Sequence, residues 1–223
     1  MYVILVSYRA RGNQAFRQKE VVDLIQNAKA YFAKTGHEYK IVICEQNDDR
    51  KFNRGALLNI AFLISERLFP QEKKYIHMNA DYRFNMDWKF PSEIVEFKTG
   101  FLELFAFPYP ILGSACVFDP ASFKAVNGFP NDLWGWGGDD WAIYYRIMQK
   151  GIPIFKPANL HNSGFIQEIN GQIKNDESNN APNIRLAHRS DLETNGMNNC
   201  RFNVDRLGEF HDGSTVFHYA VSF

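Results

Sequence analysis

The sequence predicts an α/β protein with a parallel sheet and crossover helices. Short β-branched, apolar segments alternate with longer segments in which apolar residues recur every three or four positions, as in amphipathic helices. Polar loops follow the ends of the first three apolar segments. The length of 223 residues and the hydrophobic share of 45% suit a single domain over residues 1–223.

Residues 1–81 show this alternation most clearly. The β-branched, apolar segment Met1–Tyr8 is typical of a buried strand, and Gln14–Thr35 has helical spacing and ends at a glycine. The order continues as strand, helix and strand over Tyr39–Cys44, Arg54–Leu68 and Tyr75–Met78. Because the carboxyl ends of parallel strands meet at one edge of a sheet, the polar loops after these strands predict a ligand site at that edge.

The remaining sequence is less regular. The polar tract Glu168–Asn183 has almost nothing to bury and predicts a mobile loop, and Asn127–Asp140 predicts a turn-rich loop. Strands are expected over Phe101–Phe107, Ile111–Phe118, Ile152–Phe155, Cys200–Val204 and Ser214–Ser222, and helices over Pro120–Val126 and Trp141–Lys150.

Composition excludes several classes of protein. The 25 basic residues balance the 25 acidic ones, which argues against a nucleic-acid partner bound through excess positive charge. Three cysteines without paired spacing predict neither a disulfide framework nor a thiolate metal site, and they favour a reducing compartment. No signal peptide or apolar run of about 18 residues is recognisable, so we expect a cytoplasmic protein that does not span a membrane.

The densest motif is Trp-Gly-Trp-Gly-Gly-Asp-Asp-Trp at residues 134–141. Glycines let the backbone approach a ligand closely, and indole rings form flat surfaces on which sugars stack. The carboxylates of Asp139 and Asp140 follow at the start of a predicted helix. They favour a general base beside an aromatic surface, with helix capping as the alternative.

Two further groups lie on loops that follow predicted strands. In Asn79-Ala80-Asp81, the acidic residue is placed to hold a divalent cation against a diphosphate. Arg9, Arg11 and Arg54 suit bidentate phosphate binding, and Phe52 is placed to stack on a base. Solvated surface charge is the alternative for the arginines. The six histidines show no metal-ligand spacing.

In this order, the motifs resemble those of the β-1,4-galactosyltransferase family of inverting glycosyltransferases. The Trp/Gly/Asp motif resembles the family's W-G-W-G-G-E-D and is the most specific match. The others are Ser7–Arg11 with P-F-R-x-R, Phe52–Asn59 with F-N-R-x-x-L-L-N, Asn79–Asp81 with D-x-D, Asn127–Asn131 with N-G-F-x-N, and Leu186–His188 with Asn195–Asn198, which resemble I-A-H and D-G-L-N.

The resemblance implies the glycosyltransferase A-type fold, a Rossmann-like mixed sheet flanked by helices. It also implies a UDP-sugar donor, a carbohydrate acceptor, a β-linked product and Mn²⁺. It assigns Arg9, Arg11, Phe52, Arg54, Asn79, Ala80, Asp81 and Trp136 to donor binding. It assigns Trp136, Gly137, Gly138, Asp139 and Trp141 to acceptor binding, Asp81 and, with a shifted register, His161 to the metal, and Asp140 to catalysis as the base.

The sequence also departs from the family pattern. Asn79 replaces the first Asp of D-x-D, and Ile166 and Ile169 align with metal-binding positions, so the need for a metal is uncertain. Trp141 replaces an acidic residue that holds the acceptor, which predicts an acceptor other than N-acetylglucosamine. Ile111 aligns with a tyrosine that restricts the donor to galactose, so N-acetylgalactosamine is an alternative donor sugar. The tract Glu168–Asn183 aligns with a mobile lid.

The sequence is compatible with three functions. The first is an inverting transferase that uses a UDP-sugar. The second is a degenerate relative that binds nucleotide or glycan without turnover, and the third is a nucleotidyltransferase that makes nucleotide sugars. Glycoside hydrolysis is disfavoured, because it needs two carboxylates facing each other across the bond, and adjacent residues on a helix do not face each other.

Overall fold

The computed structural model describes residues 1–10, 16–105, 111–112, 114–135, 137–161, 164–169, 180–187 and 191–223. These residues form ten strands and seven α-helices. The strands are β1 (Tyr2–Tyr8), β2 (Tyr39–Gln46), β3 (Lys74–Met78), β4 (Tyr82–Phe84), β5 (Phe101–Glu103), β6 (Ala115–Phe118), β7 (Ile154–Phe155), β8 (Ile166–Glu168), β9 (Asn203–Leu207) and β10 (Val216–Ser222). The helices are α1 (Arg17–Thr35), α2 (Arg54–Leu68), α3 (Ser92–Glu96), α4 (Pro120–Ala125), α5 (Asp139–Gln149), α6 (Ala158–His161) and α7 (Asn180–Ala187).

Eight strands form one mixed sheet in the order β7-β5-β6-β3-β1-β2-β10-β9. Its centre is parallel, since β1 pairs with both β2 and β3, and β10 pairs with β2 in the same direction. Strand β6 then pairs antiparallel with β3, and β9 pairs antiparallel with β10. The predicted strand–helix–strand–helix–strand order of residues 1–81 and the mixed sheet are therefore confirmed, and the central strands end at one edge.

The core lies on both faces of this sheet. Successive side chains of a strand point to opposite faces, so in β1 Ile4 packs in the cluster that contains the apolar face of α1, and Leu5 packs in the cluster that contains α2. Both residues are fully buried. Within the described ranges, no helix is both long and apolar enough to cross a membrane.

Several predicted boundaries are wrong. The predicted strands Phe101–Phe107 and Ile111–Phe118 shorten to β5 and β6, with residues 106–110 and 113 outside the described part. The predicted strand Cys200–Val204 begins later, as β9, because its ladder with β10 starts at Asn203. The polar tract Glu168–Asn183 is not a loop throughout: its first residue ends β8, and its last four begin α7. Strand β8 forms because it pairs with β4, a contact that composition does not reveal.

Candidate active site

The predicted site residues meet where the central strands end and two helices begin. Strand β3 ends at Met78 and leads directly into Asn79-Ala80-Asp81. Helices α2 and α5 begin at Arg54 and Asp139, and both helix starts contact this strand end through the side chain of Arg54. The predicted convergence of these loops is confirmed for Arg54 and Asn79, and α5 adds its first turn.

Arg54 is the centre of the site. Its guanidinium donates from Nε to Asp139 Oδ2, from Nη2 to Asp140 Oδ1 and from Nη1 to Asn79 Oδ1 at 3.1 Å. The side chains are 15% exposed at Arg54, 11% at Asp139 and 23% at Asp140. The two adjacent aspartates, which we did not expect to face each other, therefore converge on one cation.

Local structure fixes Arg54 at this position. The side chain of Asn53 caps α2 by accepting from the backbone N–H of Ala56 at 3.0 Å. The backbone N–H of Asn53 donates in turn to Oε1 of Gln46, at the end of β2, at 2.9 Å. The start of α2 is thus tied to a strand end, which directs the first helical side chain across the site.

The two aspartates do not cap their own helix. Gly138 is the N-cap residue of α5 and forms no side-chain cap hydrogen bond, while both carboxylates bind Arg54. Helix α5 also begins at Asp139, two residues before the predicted start at Trp141. Side-chain capping is therefore wrong, but both aspartates do lie in the first turn, where the helix dipole favours negative charge.

The glycines of the motif allow a close helix contact. Gly138 has φ +90°, and a Cβ added there would lie 2.7 Å from the carbonyl carbon and oxygen of Asn183. The side chain of Asn183 donates to the carbonyl of Trp134 at 3.1 Å. Helix α7 therefore fastens the loop that leads to Asp140, and only glycine fits at this contact.

Burial changes the proton affinity of the site. Desolvation raises the pKa of Asp140, Arg54 opposes this effect and the charge of Asp139 adds to it, and the net result is a pKa of about 6. Burial lowers the pKa of Arg54, but the two carboxylates outweigh that effect and raise it overall. Arg54 is therefore always charged, whereas Asp140 is ionised at neutral pH and retains appreciable proton affinity, as a general base requires.

Two of the residues predicted to bind the donor, Arg9 and Phe52, contact the loops that contain Arg50 and Gly135. Arg9 donates through Nη1 to the carbonyl of Arg50, and the carbonyl of Phe52 accepts from the N–H of Gly135 at 2.7 Å. Ala80 is buried. Arg11 and Trp136, both predicted donor residues, lie outside the described residues.

The residues predicted to bind the acceptor lie in different environments. Gly137 is half-buried with φ +93°, next to Gly138 and the carboxylates. Asp139 is buried against Arg54. The ring of Trp141 stacks on Tyr145, with centroids 6.0 Å apart, and packs against the cluster of Leu133, Ala142 and Ala187. The structure therefore brings Asp139 to Arg54, and it shows Trp141 in contact with Tyr145 of α5 and Ala187 of α7.

Asp81 contacts a residue that the sequence did not single out. Its Oδ2 lies 3.4 Å from Nη1 of Arg17, which also donates to Glu20 at 2.6 Å. No sequence signal distinguished Arg17, because basic residues near helix starts are common on solvated surfaces. The anchoring roles of Gln46 and Asn183 were likewise missed: Gln46 acts across a loop of six residues with no motif of its own, and Asn183 contacts a residue 49 positions earlier in the chain.

Among the described residues, Asp81 is present at the metal site implied by the family resemblance, and isoleucines stand at two of its other positions. The N–H of Ile169 donates to the carbonyl of Asp81 at 3.0 Å, so an apolar residue lies across from Asp81, and Ile166 is buried in the core. The described residues contain no group of three metal-ligating side chains, and the His161 side chain lies outside them. A single carboxylate fits a hard cation that takes most of its oxygen ligands from a bound diphosphate.

A surface depression also lies elsewhere. It has a volume of about 530 Å³ and is lined by residues near Trp134 and Asn199. Its polar side chains satisfy one another, since Asn195 donates to Asp132 at 2.7 Å and Thr194 to Asp191 at 2.6 Å. The Arg54 cluster, with two partly exposed carboxylates on one cation, is chemically the stronger candidate.

Comparison with known proteins identifies the family of the chain. The family model described as the N-terminal domain of galactosyltransferase matches residues 102–170. β-1,4-Galactosyltransferase 1 of Mus musculus is 30% identical over 180 residues, covering 75% of this chain and 43% of the relative. β-1,4-Galactosyltransferase 3 of Homo sapiens is 24% identical over 208 residues, covering 90% and 51%. The chain thus spans about half the length of the curated relatives it matches.

Solved structures match along almost the whole chain. The catalytic domain of Drosophila β-1,4-galactosyltransferase 7 in complex with xylobiose has a TM-score of 0.70 at 18% identity, covering 100% of this chain and 93% of that one. A mutant of that enzyme, in complex with manganese, UDP-Gal and xylobiose, has the same score and identity and covers 98% and 92%. The chain has the glycosyltransferase A-type fold and belongs to the β-1,4-galactosyltransferase family.

Proposed function

We propose that the chain is an inverting glycosyltransferase that moves a hexose, galactose or N-acetylgalactosamine, from its UDP-sugar to a hydroxyl of a glycan or glycoconjugate and forms a β-linkage. The observation that carries this proposal is the pairing of Asp140 with Arg54 beside Asn79, at the ends of the central strands. The names of the relatives support galactose as the sugar.

The reaction needs a base and a means of stabilising the leaving group. Asp140 takes the proton of the acceptor hydroxyl while that oxygen attacks the anomeric carbon from the face opposite UDP. A carbon–oxygen bond forms to the acceptor, and the bond to the diphosphate oxygen breaks, with the electron pair leaving on UDP. Attack from the opposite face inverts the anomeric centre.

Positive charge is needed to stabilise the departing diphosphate. Arg9 and Arg54 border the loop that carries Phe52, and Arg11 is assigned to the same role from the sequence. A divalent cation such as Mn²⁺, held by Asp81 and the diphosphate, would neutralise further charge when bound. Its use by the galactosyltransferase 7 relative supports testing Mn²⁺ first.

The choice of donor sugar is proposed to depend on Ile111. This side chain is buried, and the next residue, Leu112, donates its N–H to the backbone carbonyl of Asp140 at 3.3 Å, so the segment that contains Ile111 runs beside the start of α5. A larger ring at this position would occupy space that an N-acetyl group needs. We therefore expect Ile111→Tyr to lower kcat/KM for UDP-GalNAc at least tenfold relative to UDP-Gal, a loss of about 1.4 kcal/mol. If the ratio of kcat/KM for UDP-GalNAc to kcat/KM for UDP-Gal is the same in the variant and the wild type, this role is contradicted.

The experiment for the proposed function is a transfer assay with UDP-Gal, UDP-GalNAc, UDP-Glc and UDP-GlcNAc, each with Mn²⁺. Acceptors should include xylosides, because the galactosyltransferase 7 relative binds xylobiose, and N-acetylglucosamine for comparison. We expect a β-linked product, read from the coupling constant of its anomeric proton. No transfer and no donor hydrolysis with any donor would contradict the proposal, and release of pyrophosphate from UTP and a sugar phosphate would favour a nucleotidyltransferase.

A second candidate is a relative that binds UDP without turnover. Arg54 already serves two carboxylates and one amide, and Asp81 lies beside Arg17, so positive charge at the site is extensively paired. Saturable UDP binding, unaffected by Mn²⁺ and without product from any donor–acceptor pair, would favour this candidate over the transferase.

A further inference from the structure

One guanidinium serves two carboxylates at the candidate active site. Arg54 carries a single positive charge, and it reaches Asp139 through Nε and Asp140 through Nη2. Its remaining contact, through Nη1, is with the neutral amide of Asn79. When both aspartates are ionised, the three charged groups keep a net charge of −1. Asp140 is therefore only partly neutralised by its cation.

Two further described groups within reach of the charge of Asp140 are neutral. The hydroxyl of Tyr82, from β4, and the thiol of Cys116, from β6, lie close enough for the charge of Asp140 to raise the pKa of each. Both side chains are buried and uncharged at neutral pH, and burial is the main reason that the pKa of each is raised. The charge balance at Asp140 therefore depends chiefly on Arg54 and Asp139.

We propose that Asp139 is a positioning residue that holds Arg54 by its Nε and takes part of its charge, so that Asp140 keeps its capacity to accept a proton. An arginine that served Asp140 alone would stabilise its ionised form and make it a weaker base. This inference rests on the proposed transferase function, and it assigns Asp139 a role other than the acceptor contact expected from sequence.

Carbon-13 NMR of protein labelled at the aspartate carboxyl carbons tests this role directly. The signal lost in Asp140→Asn identifies the base. In Asp139→Asn, we expect the titration midpoint of Asp140 to fall by about one pH unit or more, since a neighbouring charge shifts a carboxyl group by that amount. The acid limb of kcat/KM should move to lower pH by the same amount, because it reports the free enzyme.

Matched variants separate this role from a general effect of altering a buried acid. Glu66, near the end of α2, is a partly buried carboxylate paired with Lys73 at 2.8 Å. It lies twelve helical positions from Arg54, about 18 Å at 1.5 Å per residue, so Glu66→Gln should leave the midpoint of Asp140 unchanged. Asp139→Glu, which restores the charge, should return the midpoint toward the wild-type value. If Asp139→Asn does not fold, Asp139→Ser removes the same charge with a smaller side chain and should give the same downward shift.

An unchanged or raised midpoint in Asp139→Asn or Asp139→Ser would overturn the proposal. A downward shift in Glu66→Gln equal to that in Asp139→Asn would also overturn it. The NMR titration needs no turnover, so it remains decisive if no donor is transferred. If the midpoint of Asp140 shifts as expected but no transfer is observed, the result counts against the transferase function. It does not count against the coupling between Asp139 and Asp140.

Discussion

At the scale of single residues, the decisive feature is the balance between burial and charge at Asp140. Desolvation disfavours its ionised form, while Arg54 favours it, and the net result is a pKa raised to about 6. A carboxylate with its ordinary pKa would be a weaker proton acceptor, and one with a much higher pKa would be protonated at neutral pH.

This balance predicts a pH dependence of catalysis. The base acts in its ionised form, so kcat/KM should fall about tenfold for each pH unit below about 6. A profile of kcat/KM against pH between 4.5 and about 8, with a donor whose own groups do not titrate there, measures this limb. An acid limb near pH 4, the range of an ordinary aspartate, would contradict the raised pKa.

The same shift predicts a cost in stability. Because the folded-state pKa of Asp140 is raised, the protonated form favours folding. The stabilisation that protonation of Asp140 gives to the folded state is fully present below the unfolded-state pKa of about 4. It is lost as pH rises through about 6. Asp140→Asn should therefore gain stability relative to the wild type between these pH values, by at most about 3 kcal/mol. Urea unfolding of both proteins across this range measures the difference, and a constant difference would contradict the sign.

At the scale of elements, the site depends on how helix α5 is held. The loop before it crosses close to α7, where Gly138 meets the backbone of Asn183, and Asn183 binds the carbonyl of Trp134. The start of α2 is fixed independently, by the contact between Asn53 and Gln46. The relative placement of Arg54 and Asp140 therefore follows from two separate anchors.

A glycine substitution tests the anchor of α5. Gly138→Ala must place a Cβ 2.7 Å from the carbonyl group of Asn183 and also adopt φ +90°. We expect a loss of about 2–4 kcal/mol of stability and a fall in kcat, since the helix start must shift. Gly151→Ala is the matched control, with φ +63° and nothing within 4 Å of its added Cβ, and should lose only about 1–2 kcal/mol. Equal losses in thermal unfolding of the two variants would show that the close contact with Asn183 is unimportant.

At the scale of the whole molecule, the fold brings sequence-distant loops together at one sheet edge. The parallel strands β3, β1, β2 and β10 end on the same side, and α2 and α5 begin there. This arrangement places a residue of the second helix beside one that lies 86 positions later in the chain. A site of this kind needs the complete sheet, because no single segment contains both groups.

The sequence predicted what depends on local pattern. The alternation in residues 1–81 was sufficient for β1, β2 and β3. The Trp/Gly/Asp motif pointed to Asp139 and Asp140, and the family resemblance selected Asp140 as the base, which stays a prediction. The sequence did not predict that Asp139 and Asp140 share Arg54, because that contact depends on the crossing of two distant helices. The short pairing of β4 with β8 was missed for the same reason, since each strand has only three residues and no periodicity. The reducing compartment and the cytoplasmic location remain predictions.

The most direct test of the account compares galactose transfer from UDP-Gal by the wild type and Asp140→Asn, with UDP affinity measured on the same preparations. In the proposed mechanism Asp140 contacts the acceptor rather than the nucleotide, so we expect transfer to fall by at least about 10²–10⁴-fold while the UDP dissociation constant stays within about threefold. Wild-type turnover by the variant would contradict Asp140 as the base. A parallel loss of UDP affinity would show that this carboxylate serves the nucleotide instead.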